Sequence, residues 1–145
     1  MQSDDSPPIR VVLLDDHDVA RNRSVERLGQ HPLLEIVGDA ADCAEALKLA
    51  HELQPDAVLV ETTRLDKRGL EAIGLLSSLD EELRPAVVAY LEILHRSDWP
   101  DARAAGADDV LLKEMRPDAI AKELQTVVDR FHGVRGIRRP RLSTA

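Results

Sequence analysis

Short apolar runs alternate with longer amphipathic stretches along this chain. Five runs rich in branched aliphatic residues predict β-strands, at 10–14, 34–37, 57–60, 86–91 and 110–112. The stretches between and after them predict five helices, at about 19–29, 43–54, 69–79, 97–105 and 117–131. The third run, AVLV, shows no polar alternation, which is typical of a strand covered by helices on both faces of a parallel sheet.

Strands that alternate with helices predict a parallel sheet with right-handed crossovers and helices on both faces. The predicted fold class is therefore α/β, with a doubly wound five-stranded parallel sheet. The last helix has the clearest amphipathic stripe, formed by Ile120, Leu124, Val127, Val128 and Phe131. Ligands of such folds bind at the carboxyl ends of the strands, so the residues directly after each run are the candidates for chemistry.

Those strand ends carry three acids and a lysine. Asp15 and Asp16 follow the first strand, Glu61 follows the third, and Lys113 follows the fifth. We expect their side chains to converge at one edge of the sheet. Carboxylates at this density suit a magnesium ion, and a neighbouring lysine can pair with a phosphoryl oxygen as a point charge.

Composition narrows the function classes. The 145 residues are 43% hydrophobic and only 2% aromatic, so the chain lacks the row of aromatic platforms that single-stranded nucleic acid modules use. The last sixteen residues contain five arginines and no acid, and subtracting these charges from the formal net charge of −8 leaves −13 for residues 1–129. A body this acidic does not favour binding to phosphate backbones. Cys43 is the single cysteine, which excludes a disulfide framework and a cysteine metal site.

The same patterns divide the chain into three parts. Residues 1–8 are polar and contain two prolines, which predicts a disordered leader, and residues 9–131 form one domain. Residues 132–145 are predicted to be a basic tail or linker. Since no apolar run is long enough to span a bilayer and no signal-like leader opens the chain, we expect a cytoplasmic protein without a membrane partner.

Five segments together resemble a known family. They read IRVVLLDDHDVAR, EIVGDAADCAEAL, QPDAVLVE, GLEAI and AAGADDVLLKE. In this order they are similar to the receiver domain of bacterial two-component response regulators, over about residues 9–129. More narrowly, they resemble the branch whose receivers precede a helix-turn-helix output domain. The resemblance implies a flavodoxin-like (βα)5 fold with strand order 2-1-3-4-5, a magnesium ion held partly by Asp15 and Asp16, and contact between Lys113 and an acyl phosphate.

Three positions depart from the pattern of that family. Its phosphate-accepting aspartate is replaced by Glu61, its serine or threonine at the end of the fourth strand by Leu91, and its aromatic switch residue by Val110. The extra methylene of Glu61 displaces the carboxylate by about an ångström, and misplacement of this size costs about 10²-fold in a reaction that depends on positioning. Leucine cannot hydrogen-bond a phosphoryl oxygen. Together the three changes predict an atypical receiver, or pseudo-receiver, with a degenerate phosphorylation site.

Two interpretations of Glu61 stay open at this point. Its carboxylate could reach Lys113 and imitate a phosphorylated aspartate, or it could be a solvated acid at a strand end beside a vestigial pocket. We favour the second, because Leu91 and Val110 cannot relay a signal. Magnesium binding by Asp15, Asp16 and Glu61 also stays open, because a displaced third carboxylate leaves the site incomplete.

The function predicted from the sequence is control of signalling or transcription by protein–protein interaction, without the usual aspartate phosphorylation and without enzyme activity. One alternative is a receiver phosphorylated on Glu61 or a neighbouring acid. Another is a small phosphohydrolase with Asp15 or Asp16 as nucleophile, although the chain contains neither a glycine-rich phosphate loop nor a nucleophile elbow.

The predicted partners are proteins. We expect a protein partner or a homodimer formed through the last helix and Phe131, with the fourth helix and fifth strand. Phosphorelay from a histidine kinase stays open. DNA binding is expected only through an output domain that is not part of this chain, apart from a weak contact that the arginine tail could make.

Overall fold

The fold was analysed in a computed structural model that describes residues 7–135, with side chains as far as Phe131. Most of the predicted leader and of the predicted basic tail therefore lies outside the described residues. Five strands and five helices alternate along the described chain: β1 (Ile9–Leu14), α1 (Asp18–Gly29), β2 (Leu34–Ala40), α2 (Cys43–Leu53), β3 (Ala57–Thr62), α3 (Lys67–Ser77), β4 (Ala86–Leu91), α4 (Asp98–Ala105), β5 (Asp109–Leu112) and α5 (Pro117–Arg135). None of the helices within residues 7–135 combines the length and the apolarity needed to cross a membrane.

The strands form one parallel sheet in the order β2-β1-β3-β4-β5, which confirms the predicted fold class and strand order. β1 lies between β2 and β3, and β3 lies between β1 and β4. The carboxyl ends of β1, β3 and β5 therefore open on the same edge of the sheet, as the sequence analysis expected.

Two hydrophobic clusters cover the two faces of the sheet. On one side, called the α1/α5 face, Leu28 and Leu124 pack with Leu59 of β3. On the other, called the α2–α4 face, Ile73 and the other buried helix residues pack with Val58 of β3. Because side chains alternate along a strand, the parity of a position decides which face it occupies. This parity sets which residues share the candidate site.

β2 continues beyond its predicted end at residue 37 and reaches Ala40. The pairing of β1 with β2 shifts by one residue between Val11 and Val12, as at a β-bulge. One residue of β2 therefore has no partner in β1. A side chain at Gly38 would place its Cβ 3.3 Å from methyl groups of Leu49 and Leu53 in α2. Glycine is used here for close approach of helix and strand, not as the strand terminator that the sequence suggested.

The starts of α2 and α5 agree with the sequence, and those of α1 and α3 differ from it. Asp42 caps α2 as predicted, accepting a hydrogen bond of 2.8 Å from the backbone N–H of Glu45. The N-cap of α1 is His17 instead of Asp18 and makes no side-chain cap bond. α3 begins at Lys67, two residues before the predicted start, because Asp66 caps it by accepting from the N–H of Gly69.

Removal of the Asp42 side chain tests its role as the N-cap of α2. We expect Asp42→Ala to lower the free energy of unfolding by about 1 kcal/mol, because the Glu45 N–H loses its acceptor. Ser97→Ala is the matched control, since Ser97 occupies the N-cap of α4 without a side-chain cap bond. Urea denaturation of both variants checks the prediction, and an equal loss in the two would contradict it.

Candidate functional site

A lysine and two buried carboxylates meet at the carboxyl edge of the sheet. Lys113 Nζ lies 3.7 Å from Asp15 Oδ2 and 3.7 Å from Glu61 Oε1. Asp15 and Glu61 are only 3% and 4% exposed. The convergence of these strand-end residues is therefore as predicted, and the ammonium group is the shared counter-charge of both acids.

Glu61 is the last but one residue of β3, and it points into the α1/α5 face. The hydroxyl of Ser24 in α1 donates a hydrogen bond to Glu61 Oε1, while Oε2 is buried and has no hydrogen-bond partner among the described residues. Burial raises the pKa of Glu61 to about 7 and the charge of Asp15 adds to this, while Ser24 and Lys113 oppose it. The favoured interpretation of Glu61 as a solvated acid is therefore wrong, because the carboxyl group is enclosed by α1 and the sheet.

Asp16, which is more exposed than its neighbour Asp15, has different partners. Asp16 accepts from Arg68 of α3 at 2.7 Å, and its other oxygen lies 3.1 Å from His17 Nδ1. The backbone N–H of His17 donates to Asp15 Oδ1 at 3.0 Å, which fixes the turn after β1. Arg68 is 81% exposed, so its ion pair with Asp16 contributes little to stability.

Asp15, Asp16 and His17 each offer a metal-ligating atom within 4.8 Å of the others, and they are the one such group found among the described residues. A magnesium ion commonly takes one or two carboxylates and keeps several waters, so the carboxylates of Asp15 and Asp16 fit it chemically. When bound, the ion would supply positive charge to neutralise a phosphoryl group. Glu61 does not belong to this group, because its carboxylate is turned toward Ser24 and Lys113. The expectation that Glu61 is a third ligand gains no support from this geometry and stays a prediction.

The neighbour of Glu61 in β4 is a buried tyrosine. Tyr90 pairs with Glu61 in the β3–β4 register, belongs to the α1/α5 cluster and is 1% exposed. Its ring lies under Lys113, with Nζ 5.9 Å from the ring centroid. The guanidinium of Arg27 in α1 donates to the Tyr90 hydroxyl at 3.3 Å. Burial raises the pKa of Tyr90, and the positive charge of Arg27 opposes this shift.

The other side of the acid pair opens into a cavity of about 190 Å³ between β1, β3, α2 and α3. Its wall combines Leu14, Val60 and Ala72 with the carboxylates of Asp15 and Asp16. Glu61 also lines this cavity, while its carboxylate bonds the Ser24 hydroxyl beneath α1.

A family model described as the response regulator receiver domain matches residues 11–125. The chain belongs to this family. It is 30% identical over 117 residues to the nitrate/nitrite response regulator protein NarL of Escherichia coli, covering 81% of this chain and 53% of that protein. It is 31% identical over 121 residues to the transcriptional activator DevR/DosR of Mycobacterium tuberculosis, covering 82% and 54% respectively. The receiver domain thus spans about half the length of the curated relatives it matches.

Solved structures agree with this assignment. The signal receiver domain of the response regulator NarL from Mycobacterium tuberculosis superposes with a TM-score of 0.71 at 27% identity, covering 86% of this chain and 98% of that one. A LuxR-family response regulator from Aurantimonas superposes with a TM-score of 0.72 at 24% identity, covering 85% and 86%, and this second likeness concerns the fold alone.

Within this receiver domain, the sequence-based assignment of the family's hydroxyl position to Leu91 needs correction. A group that binds a phosphoryl oxygen on residue 61 must share a sheet face with that residue. Leu91 is fully buried in the α2–α4 cluster, whereas Tyr90 lies beside Glu61 on the α1/α5 face. The error is a shift of one residue, and in a strand such a shift exchanges the two faces.

Val110 lies in β5 and packs against the α2–α4 cluster. An aliphatic side chain at this position has no aromatic ring to rotate.

Sequence reasoning missed Ser24, Arg27 and Tyr90. A signal for Ser24 was present, since the apolar stripe of α1 is thin and places a hydroxyl among its inward positions. Tyr90 was hidden within an apolar run, where no alternation marks the face.

Proposed function

We propose that this receiver domain is a pseudo-receiver, which acts in bacterial signalling through protein–protein contacts and does not accept a phosphoryl group at the usual site. The observation that carries the proposal is the placement of Glu61. Its carboxylate is the terminal group at the acceptor position, yet it is enclosed beneath α1, bonded to Ser24 and paired with Lys113. An enclosed carboxylate cannot present an oxygen in line with the leaving group of a phosphodonor.

Tyr90 supports the same proposal. Its ring fills the space beside Glu61 and its hydroxyl is engaged by Arg27. The place next to residue 61 is therefore occupied by a side chain that is already bonded. Val110 supplies no aromatic ring that could change its orientation. Positions 90 and 110 therefore offer neither a hydroxyl ready to bind a phosphoryl oxygen nor a ring that could respond to one.

Incubation of the chain with acetyl phosphate and magnesium, followed by intact mass measurement, tests the proposal. We expect no stable species heavier by one phosphoryl group. A receiver domain with aspartate at the acceptor position, treated in parallel, is the positive control. A stable phosphorylated species whose modification maps to Glu61 or Asp16 would overturn the proposal and favour the phosphorylation-competent alternative.

The output of the whole protein is part of the proposal, because the relatives extend beyond the receiver. Several are transcriptional regulators by name, such as LiaR of Bacillus subtilis, which is 30% identical over 118 residues. Another, 34% identical over 138 residues, is a protein-glutamate methylesterase/protein-glutamine glutaminase of Anaeromyxobacter dehalogenans, of which this chain covers 40%. We propose transcription control through a DNA-binding output domain, since the named transcriptional relatives match about half of their own length.

Self-association through α4, β5 and α5 remains a prediction. At this surface Arg84 stacks on the Phe131 ring at 4.9 Å and Arg103 stacks on the Trp99 ring at 5.6 Å. Aromatic rings and arginines of this kind are enriched at protein interfaces.

A further inference from the structure

Two residues of α1 reach the positions where a receiver would bind a phosphoryl group. Ser24 and Arg27 are three residues apart and therefore lie on one side of the helix. Ser24 is 9% exposed and Arg27 is partly buried, so both side chains turn toward the α1/α5 face of the sheet. They are called the α1 latch below.

Arg27 fixes the segment that carries Lys113. Its guanidinium donates to the carbonyl oxygens of Lys113 at 3.2 Å and Met115 at 2.7 Å, and also to the Tyr90 hydroxyl. A planar fork with several donors can serve these acceptors together, which a lysine ammonium cannot do with the same geometry. The turn after β5 is thereby tied to α1, and the Lys113 side chain is kept beside Asp15 and Glu61.

Ser24 completes the set by bonding the Glu61 carboxylate directly. The latch therefore touches residue 61 through a side chain, residue 90 through its hydroxyl, and residue 113 through its backbone. In a phosphorylated receiver, a phosphoryl group on residue 61 would have to link this residue with positions 90 and 113. In this domain the contacts of Ser24 and Arg27 in α1 link the three positions instead.

We propose that the α1 latch keeps the ends of β3, β4 and β5 in one arrangement, so that the state of the domain is fixed by α1 and not by a phosphoryl group. The inference rests on the proposed function, because it names what holds the positions when no phosphoryl group does. Ser24 and Arg27 are positioning residues that act through Glu61, Tyr90 and the Lys113 segment.

Amide hydrogen exchange of Arg27→Ala in the full chain tests the latch. We expect exchange in a peptide covering residues 110–117 to accelerate on the order of 10-fold or more, because the part-buried carbonyls of Lys113 and Met115 lose a charged donor. The reporting amides include Lys113 N–H, bonded to the Leu91 carbonyl at 2.8 Å, and Met115 N–H, bonded to the Leu112 carbonyl at 3.1 Å. Arg23→Ala is the matched control, since Arg23 is exposed on the same helix.

Two further variants sharpen the comparison. Arg27→Lys keeps the charge and the aliphatic stem, and we expect it to show local acceleration as well, because one ammonium cannot serve all the acceptors. Ser24→Ala should accelerate exchange at Glu92 and Ile93, whose N–H groups bond the carbonyls of Thr62 and Thr63.

The exchange pattern of Arg27→Ala distinguishes a local role of α1 from a loss of global stability. Exchange of residues 110–117 in Arg27→Ala within about 2-fold of the Arg23→Ala control would overturn the latch. Uniform acceleration across all strands would also overturn it, because this indicates loss of global stability without a local role. Phosphorylation of the wild-type chain by acetyl phosphate would refute the proposed function, while the exchange comparison would still decide whether α1 holds these segments.

Discussion

Wild-type protein is expected to lose about 3 kcal/mol of unfolding free energy, relative to Glu61→Gln, as the pH rises from 4.5 to about 7. Burial raises the pKa of Glu61 from 4.5 in the unfolded chain to about 7 in the folded one. Between these values the folded state binds a proton that the unfolded state has released, so stability falls as the pH rises. Below pH 4.5 both states are protonated and the penalty is absent; above pH 7 it is complete.

Urea denaturation across this pH window, with wild type and Glu61→Gln side by side, isolates the effect from the titration of other carboxylates. Glutamine keeps the length of the side chain and an oxygen that can accept from Ser24. Glu71→Gln, at an exposed position of α3, is the control and should run parallel to wild type. A wild-type curve that stays parallel to that of Glu61→Gln would show that the carboxyl group titrates as an exposed one does.

Gly106→Ala is expected to destabilise the domain by about 3 kcal/mol. Gly106 ends α4 with φ of +116°, a conformation that L side chains rarely adopt. An added Cβ would lie 2.1 Å from Ser77 Oγ and 2.7 Å from Ser77 Cβ, at the end of α3. Backbone strain and a steric clash therefore act together, and α3 and α4 would have to separate.

Thermal and urea denaturation measure this loss. Gly74→Ala is the matched control, because the nearest atom to its Cβ is 3.8 Å away and alanine favours the helix interior. Adding Ser77→Gly to Gly106→Ala should recover the part due to the clash and leave the part due to φ. If Gly106→Ala were as stable as Gly74→Ala, the left-handed cap would be wrongly placed.

The architecture of this receiver domain could be predicted from the sequence because the relevant signals are local. Apolar runs separated by helical stripes specify the element order, and a parallel sheet gathers Asp15, Asp16 and Lys113 at one edge whatever the details of packing. The resemblance to the receiver family supplied the strand order, which alternation alone does not determine.

The parts that could not be predicted depend on facing and on distant contacts. β4 is buried throughout, so its sequence carries no alternation to show whether Tyr90 or Leu91 faces Glu61. The burial of Glu61 depends on Ser24, which is 37 residues away in the chain. An acid at the end of a strand has the same sequence appearance whether it meets solvent or a helix.

The buried set formed by Ser24, Glu61 and Tyr90 has a consequence for variants designed to accept a phosphoryl group. Aspartate at position 61 alone would leave the Tyr90 ring in place and would draw the carboxylate back from the Ser24 hydroxyl by the length of one methylene. Replacing Tyr90 alone by a small residue would open a cavity and cost about 3–5 kcal/mol, as other large-to-small aromatic replacements do. The replacement of Tyr90 therefore gives a less stable protein unless a second change fills the cavity. A variant of this kind therefore needs changes in the packing of α1 and β4 as well as an aspartate at position 61.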